Sequence, residues 1–107
     1  MKRDFDQAIT DLNNDPFQDK ATLKSVVFLV LNTPLEGDDR IPLDQKLKQF
    51  TLLQSIHKGG VVDISAEDIA FIKTRAARCP LSLIAIGRLC ELLEKEYVPP
   101  PDLRIVG

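Results

Sequence analysis

With 107 residues, 44% of them hydrophobic and 28% charged, the chain has the make-up of one ordinary globular domain and no room for a second. A formal charge of -2 and a pI near 5.3 speak against a nucleic-acid binder that works through phosphate contacts, and against docking on an anionic membrane. Only 6% of the residues are aromatic and none is Trp, so Leu, Ile, Val and Ala must build the core.

No segment reads as a membrane span: the longest apolar run, Val26 to Leu31, has six residues, where about 20 are needed. Met1-Lys2-Arg3-Asp4 has no hydrophobic stretch behind its positive charges, so no secretory signal is expected. Cys79 and Cys90 fit neither a redox CxxC nor a zinc motif, and they read as two thiols in a reducing cytoplasm.

The first seventeen residues predict a short strand or irregular arm, then a turn at Asn13-Asn14-Asp15-Pro16, as a loose hairpin ending at Phe17. A short amphipathic helix over residues 4–12 competes, since Phe5, Ala8, Ile9 and Leu12 also fall at helical spacing. Thr22 predicts the cap of a helix through Leu31 that is apolar nearly all round and so expected to be buried on most sides. Asn32-Thr33-Pro34 ends it, and Leu35 to Arg40 predicts an exposed loop.

Pro42 opens a second helix. Leu43, Leu47, Phe50, Leu53 and Ile56 recur at steps of four and three, which reads as its core stripe, and Gly59-Gly60 is its left-handed stop. Residues 61–64 predict a short strand. Ser65 with Asp68 predicts a capping box for a third helix that buries Ile69, Ile72, Ala76 and Cys79 and leaves Lys73, Arg75 and Arg78 outside. Pro80 forces a new start. The fourth helix, Leu81 to about Glu96, reads as the central one, with Gly87 at a close helix crossing. Pro99-Pro100-Pro101 must be extended, and the tail after it alternates like a strand.

The fold expected is therefore mainly α, a four-helix domain with a minor β element. It becomes α+β if the N-terminal arm, residues 61–64 and the tail pair. The domain is placed at residues 1–98, with 99–107 as a proline-led extended tail.

Nothing in the sequence composes a catalytic centre. His57 is the single histidine, sits at a helix end where capping explains it, and has no Ser, Cys or carboxylate in a recognisable arrangement around it. One His and two separated Cys make no metal ligand set, Asp38-Asp39 and the Asp11–Asp15 cluster lack calcium-loop spacing, and Gly59-Gly60 is no phosphate loop. The expectation is a non-enzymatic protein without metal or cofactor. Residues 65–95 have the cadence of a helix-turn-helix, yet the second helix is core-like where a recognition helix must be polar. Two features suggest partner binding. One is the basic cluster Lys73, Arg75 and Arg78, with Arg88 adjacent, which is either a solvated helix face or a seat for an acidic partner. The other is the tail residues Leu103, Ile105 and Val106, which dock on their own domain or add a strand to a neighbour's sheet.

Several stretches resemble small accessory proteins of tailed bacteriophages: residues 2–6, residues 46–50, Val62 to Lys73, and Leu83 to Glu94. The chain departs from that pattern at Asn13-Asn14-Asp15-Pro16, where a glycine turn is usual, and in its proline-rich tail. The resemblance implies an origin and a place of action, the cytoplasm of the bacterial host, and no chemistry. The function expected is protein–protein interaction, as an assembly or structural factor that self-associates or chaperones a virion component. The alternative is a regulator that binds and inhibits a host enzyme or defence complex, and nucleic-acid binding is a minor third.

Overall fold

The computed structural model of the protein describes residues 1–99. The expected tail, with Leu103, Ile105 and Val106, lies outside the described residues. The architecture is mainly α with a two-stranded antiparallel sheet: β1 (Lys2–Asp4), α1 (Leu23–Asn32), α2 (Leu43–His57), β2 (Val61–Asp63), α3 (Ala66–Ala76) and α4 (Leu83–Glu94).

β1 and β2 pair with Lys2 opposite Asp63, Arg3 opposite Val62 and Asp4 opposite Val61. The N-terminal ammonium extends the ladder by binding the Asp63 carboxylate at 2.7 Å, which holds that carboxyl below its usual range. After a turn at Phe5 and Asp6 the arm runs antiparallel to the entry of α1. The Phe5 N–H donates to the Gly60 carbonyl, the Lys24 N–H to the Phe5 carbonyl and the Ile9 N–H to the Ala21 carbonyl. This settles the competition over residues 4–12 against the helix. Asp4 and Asp11 each accept from backbone N–H groups two residues on, which favours turns over helix. Asp11 also accepts from the Asp15 N–H, Asn14 takes a left-handed φ of 64°, and a bridge between Thr10 and Pro16 closes the hairpin.

α1 begins at a capping box in which the Thr22 hydroxyl accepts from the Ser25 N–H and the Ser25 hydroxyl accepts from the Thr22 N–H. It is the helix on which the other three pack. The expectation that α4 is central is thereby corrected. α4 buries only Leu89 and Leu93, while Leu83 at its start is 85% exposed. Its apolar composition reflects incompletely covered surface, not a central position. Gly87 is exposed, and a Cβ there would meet nothing within 4 Å, so no helix crosses it closely. Ser82 caps α4 through the Ala85 N–H, two residues later than the sequence suggests, because Leu81 is still tied back to the Cys79 carbonyl. α1 too is less buried than its composition implies: Leu23, Val26, Val27 and Val30 are in the core, but Leu29 is 54% exposed.

α3 starts where expected, but it ends at Ala76, and a turn over residues 77–79 replaces the last turn expected before Pro80. Ser65 and Asp68 form the capping box, and Ile69, Ile72, Ala76 and Cys79 are all buried. α2 stops at Gly59 and Gly60, whose φ values of 73° and 68° suit glycine. The core joins these elements through Phe5, Ile9, Leu23, Val27, Val30, Ile56, Ile64, Ile72, Leu89 and Leu93. Beyond α4, the Tyr97 N–H donates to the Lys2 carbonyl at 2.9 Å, which lays the chain against the outer side of β1.

Candidate interaction surface

The four cations singled out in the sequence do not make one free basic face. Arg75 is the clear correction: it is 5% exposed, and its guanidinium is a brace inside the fold. Its Nη1 and Nη2 donate to Asp38 Oδ1 and Oδ2, each at 3.1 Å, while Nη2 also donates to the Thr33 carbonyl at 2.7 Å. Nε points at the Val30 carbonyl, and Cζ lies 5.9 Å from the Phe71 ring centroid. The planar fork thus satisfies carbonyls left open where α1 ends and ties the loop before α2 to α3. Asp38 accepts from Arg75 and from the Leu35 N–H, and together these lower its carboxyl to about 2. The pairing joins residues 37 apart in sequence, with no local pattern to announce it.

Arg78 donates to the Glu36 carbonyl on the same loop. Lys73 pairs with Glu94 of α4 and holds that carboxyl below its usual range. Arg88 reaches the hairpin turn, donating to the Asp11 carbonyl at 2.9 Å, and pairs with Glu91 at 3.0 Å. Each cation therefore connects two elements of the chain. Arg3, the other buried charge, does the same, donating through Nε to the Leu93 carbonyl at the end of α4. His57 is exposed in the last turn of α2, its ring tilted 49° against Phe28 with centroids 5.6 Å apart.

The unused surface lies elsewhere, on α2. The predicted core stripe does not face the core along its length: Leu43 is 72% exposed, Leu47 56% and Phe50 54%, Leu53 is half-buried, and only Ile56 is in the core. The cause is geometric. Each residue turns an α-helix by about 100°, so each three-residue step falls about 60° short of a full turn. Three such steps in a row, from Leu47 through Phe50 and Leu53 to Ile56, carry the row round to the opposite side. Leu43, Leu47 and Phe50 therefore share a second row, at steps of four and three, that continues through Gln54 to His57 and points outward. The drift was readable in the spacing itself, and it is the signal that the sequence reading missed.

Where α2 meets α1, this outward row borders an open groove of about 440 Å³ lined by Phe28, Phe50, Leu53, Gln54, His57 and Lys58. No carboxylate lines it. Between Ile41 and Gly59 the charged side chains are Asp44, Lys46, Lys48 and Lys58, and none of the three lysines forms an ion pair among the described residues. Asp44 sits in the first turn, where negative charge suits the helix dipole.

Among the described residues no group of three or more His, Cys, Asp or Glu side chains converges as a metal site, and no helix is long and apolar enough to cross a membrane. Cys79 is buried with its Sγ directed at the Val30 carbonyl, and Cys90 is half-buried; both are free thiols. Compared with protein families, with curated proteins and with solved structures, the chain matches none.

Proposed function

We propose that this protein acts by binding another protein, without chemistry of its own, and that the outward row of α2 is its contact surface. The observation that carries the reading is the exposure of Leu43, Leu47 and Phe50 on one side of a helix whose other side is held by α1. Three large apolar side chains in a row keep hydrophobic area in water, and such patches mark interaction sites more often than they occur by chance. The origin implied by the phage-like segments belongs to the same proposal: an accessory factor of a tailed phage, acting in the host cytoplasm on a virion component.

Site-specific photo-crosslinking in producing cells tests this. A photoreactive residue at Leu47 should give one defined adduct that disappears when Phe50→Glu is added. The same probe at Glu67, on the exposed first turn of α3, should give none. Equal adducts from both positions, or none from Leu47, would rule the surface out.

A further inference from the structure

The chemistry of this surface also selects its occupant, on the reading that α2 is the contact surface. We infer that α2 receives an amphipathic helix of a different protein, apolar along one row and flanked by carboxylates. Two observations point there.

The first is the spacing. Leu43, Leu47, Phe50, Gln54 and His57 follow steps of four, three, four and three, the repeat that keeps one helix in register along another. A partner strand would meet such a row at only one or two residues, whereas a helix follows it for several turns. The groove between α1 and α2, closed on one side by Phe28, is placed to take a large apolar side chain at the middle of that contact.

The second is the charge. Lys46 and Lys58 flank the row about 60° to either side of its centre, against the single Asp44 of the first turn, in a chain whose formal charge is -2 overall; Lys48 lies about 140° away, beside Glu67 and Asp68 of α3. The cations elsewhere that might have formed a basic face are spent on internal partners: Arg75 on Asp38, Lys73 on Glu94, Arg88 on Glu91 and the Asp11 carbonyl. Lys46 and Lys58 stand exposed beside the row and form no ion pair among the described residues. A second copy of the chain fits less well. A two-fold axis near Leu47 and Phe50 would bring the Lys46 of each copy toward that of the other, at the cost of like-charge repulsion. An anionic membrane would meet the same lysines, but also the net negative charge of the remainder of the molecule.

The test uses the full chain and two fluorescent synthetic peptides of 18 residues. Both carry the same Leu row at four- and three-residue steps; one has Glu and the other Lys at the flanking positions. Anisotropy titration should show the Glu peptide binding at least about tenfold more tightly than the Lys peptide at low salt, with the preference shrinking as salt screens the lysines. Lys46→Glu combined with Lys58→Glu should reverse the preference, a gain that misfolding cannot produce. Leu47→Gln should abolish both interactions while leaving the circular dichroism spectrum unchanged. Equal binding of the two peptides would overturn the acidic partner and leave the apolar contact surface standing. Three results would overturn the inference outright: binding of neither peptide, a dimer in light scattering that Leu47→Gln dissolves, or retention on phosphatidylserine vesicles with no peptide binding.

Discussion

α2 and α3 carry apolar rows that look alike on paper, yet one row is core and the other is mostly surface. In α3 the steps from Ile69 to Ile72 and Ala76 are three and four, so the errors of successive steps cancel and the row stays within about 60° of arc, and Cys79 in the turn after the helix is buried beside it. In α2 the steps after Leu47 are three, three and three. They add, and the row spreads over about 180°. α3 accordingly packs on α1 with Ile69, Ile72 and Ala76 all buried. α2 touches the core through Ile56 and holds Leu43, Leu47 and Phe50 in solvent. The difference teaches that the order of three- and four-residue steps, not their mere presence, decides whether a helical stripe is a core face.

The sharpest way to break this comparison is a matched pair of truncations. Ile72→Ala removes a fully buried side chain and should lower unfolding free energy by about 3 kcal/mol. Leu47→Ala should change it by no more than about 0.5 kcal/mol. Urea denaturation followed by circular dichroism reads both, and a large loss at Leu47 would mean that its face is packed after all.

A second pair contrasts buried and exposed cations on the same helix. Arg75→Met leaves the Asp38 carboxylate and the Thr33 carbonyl without their donor, and should cost about 2–4 kcal/mol. Arg78→Met loses one exposed bond and should stay within about 0.5 kcal/mol. Comparable losses would show that neither arginine braces the loop.

Acid sharpens the Arg75 result. The Asp38 carboxyl is lowered in the fold to about 2 from an ordinary 3.8, so its contribution is complete above pH 3.8 and fades as pH falls toward 2. With a discount for the solvent that still reaches the carboxylate, the pH-dependent part is about 1–2 kcal/mol. Stability measured from pH 6 down to pH 2 should fall by that much more in the parent chain than in Asp38→Asn. Parallel curves would disprove the pairing.

The smallest effect concerns Gly87. Because nothing stands within 4 Å of a Cβ there and the residue is interior to α4, Gly87→Ala should stabilise by about 0.5–1 kcal/mol. Destabilisation would restore a close crossing at that point.

Local grammar determined much of this protein. The capping boxes at Thr22 and Ser65, the glycine stop at Gly59-Gly60, the break at Pro80 and the α3 stripe are written in neighbouring residues, and their outcome follows from short-range hydrogen bonding and helical period. The mainly α fold with its short β element was legible for the same reason. What local pattern left open was decided by contacts between distant residues. The arm of residues 4–12 was equally suited to helix and extension until the entry of α1 and Gly60 offered backbone partners for the extended form. Arg75 reads as a surface cation until Asp38 and the end of α1 converge on it. Centrality passed from the more obvious α4 to α1, because α1 packs against all three of the other helices. The α2 face lies between these cases: its geometry is in the spacing, but only the packing of Ile56 onto the core shows which part of the winding row was left to the solvent.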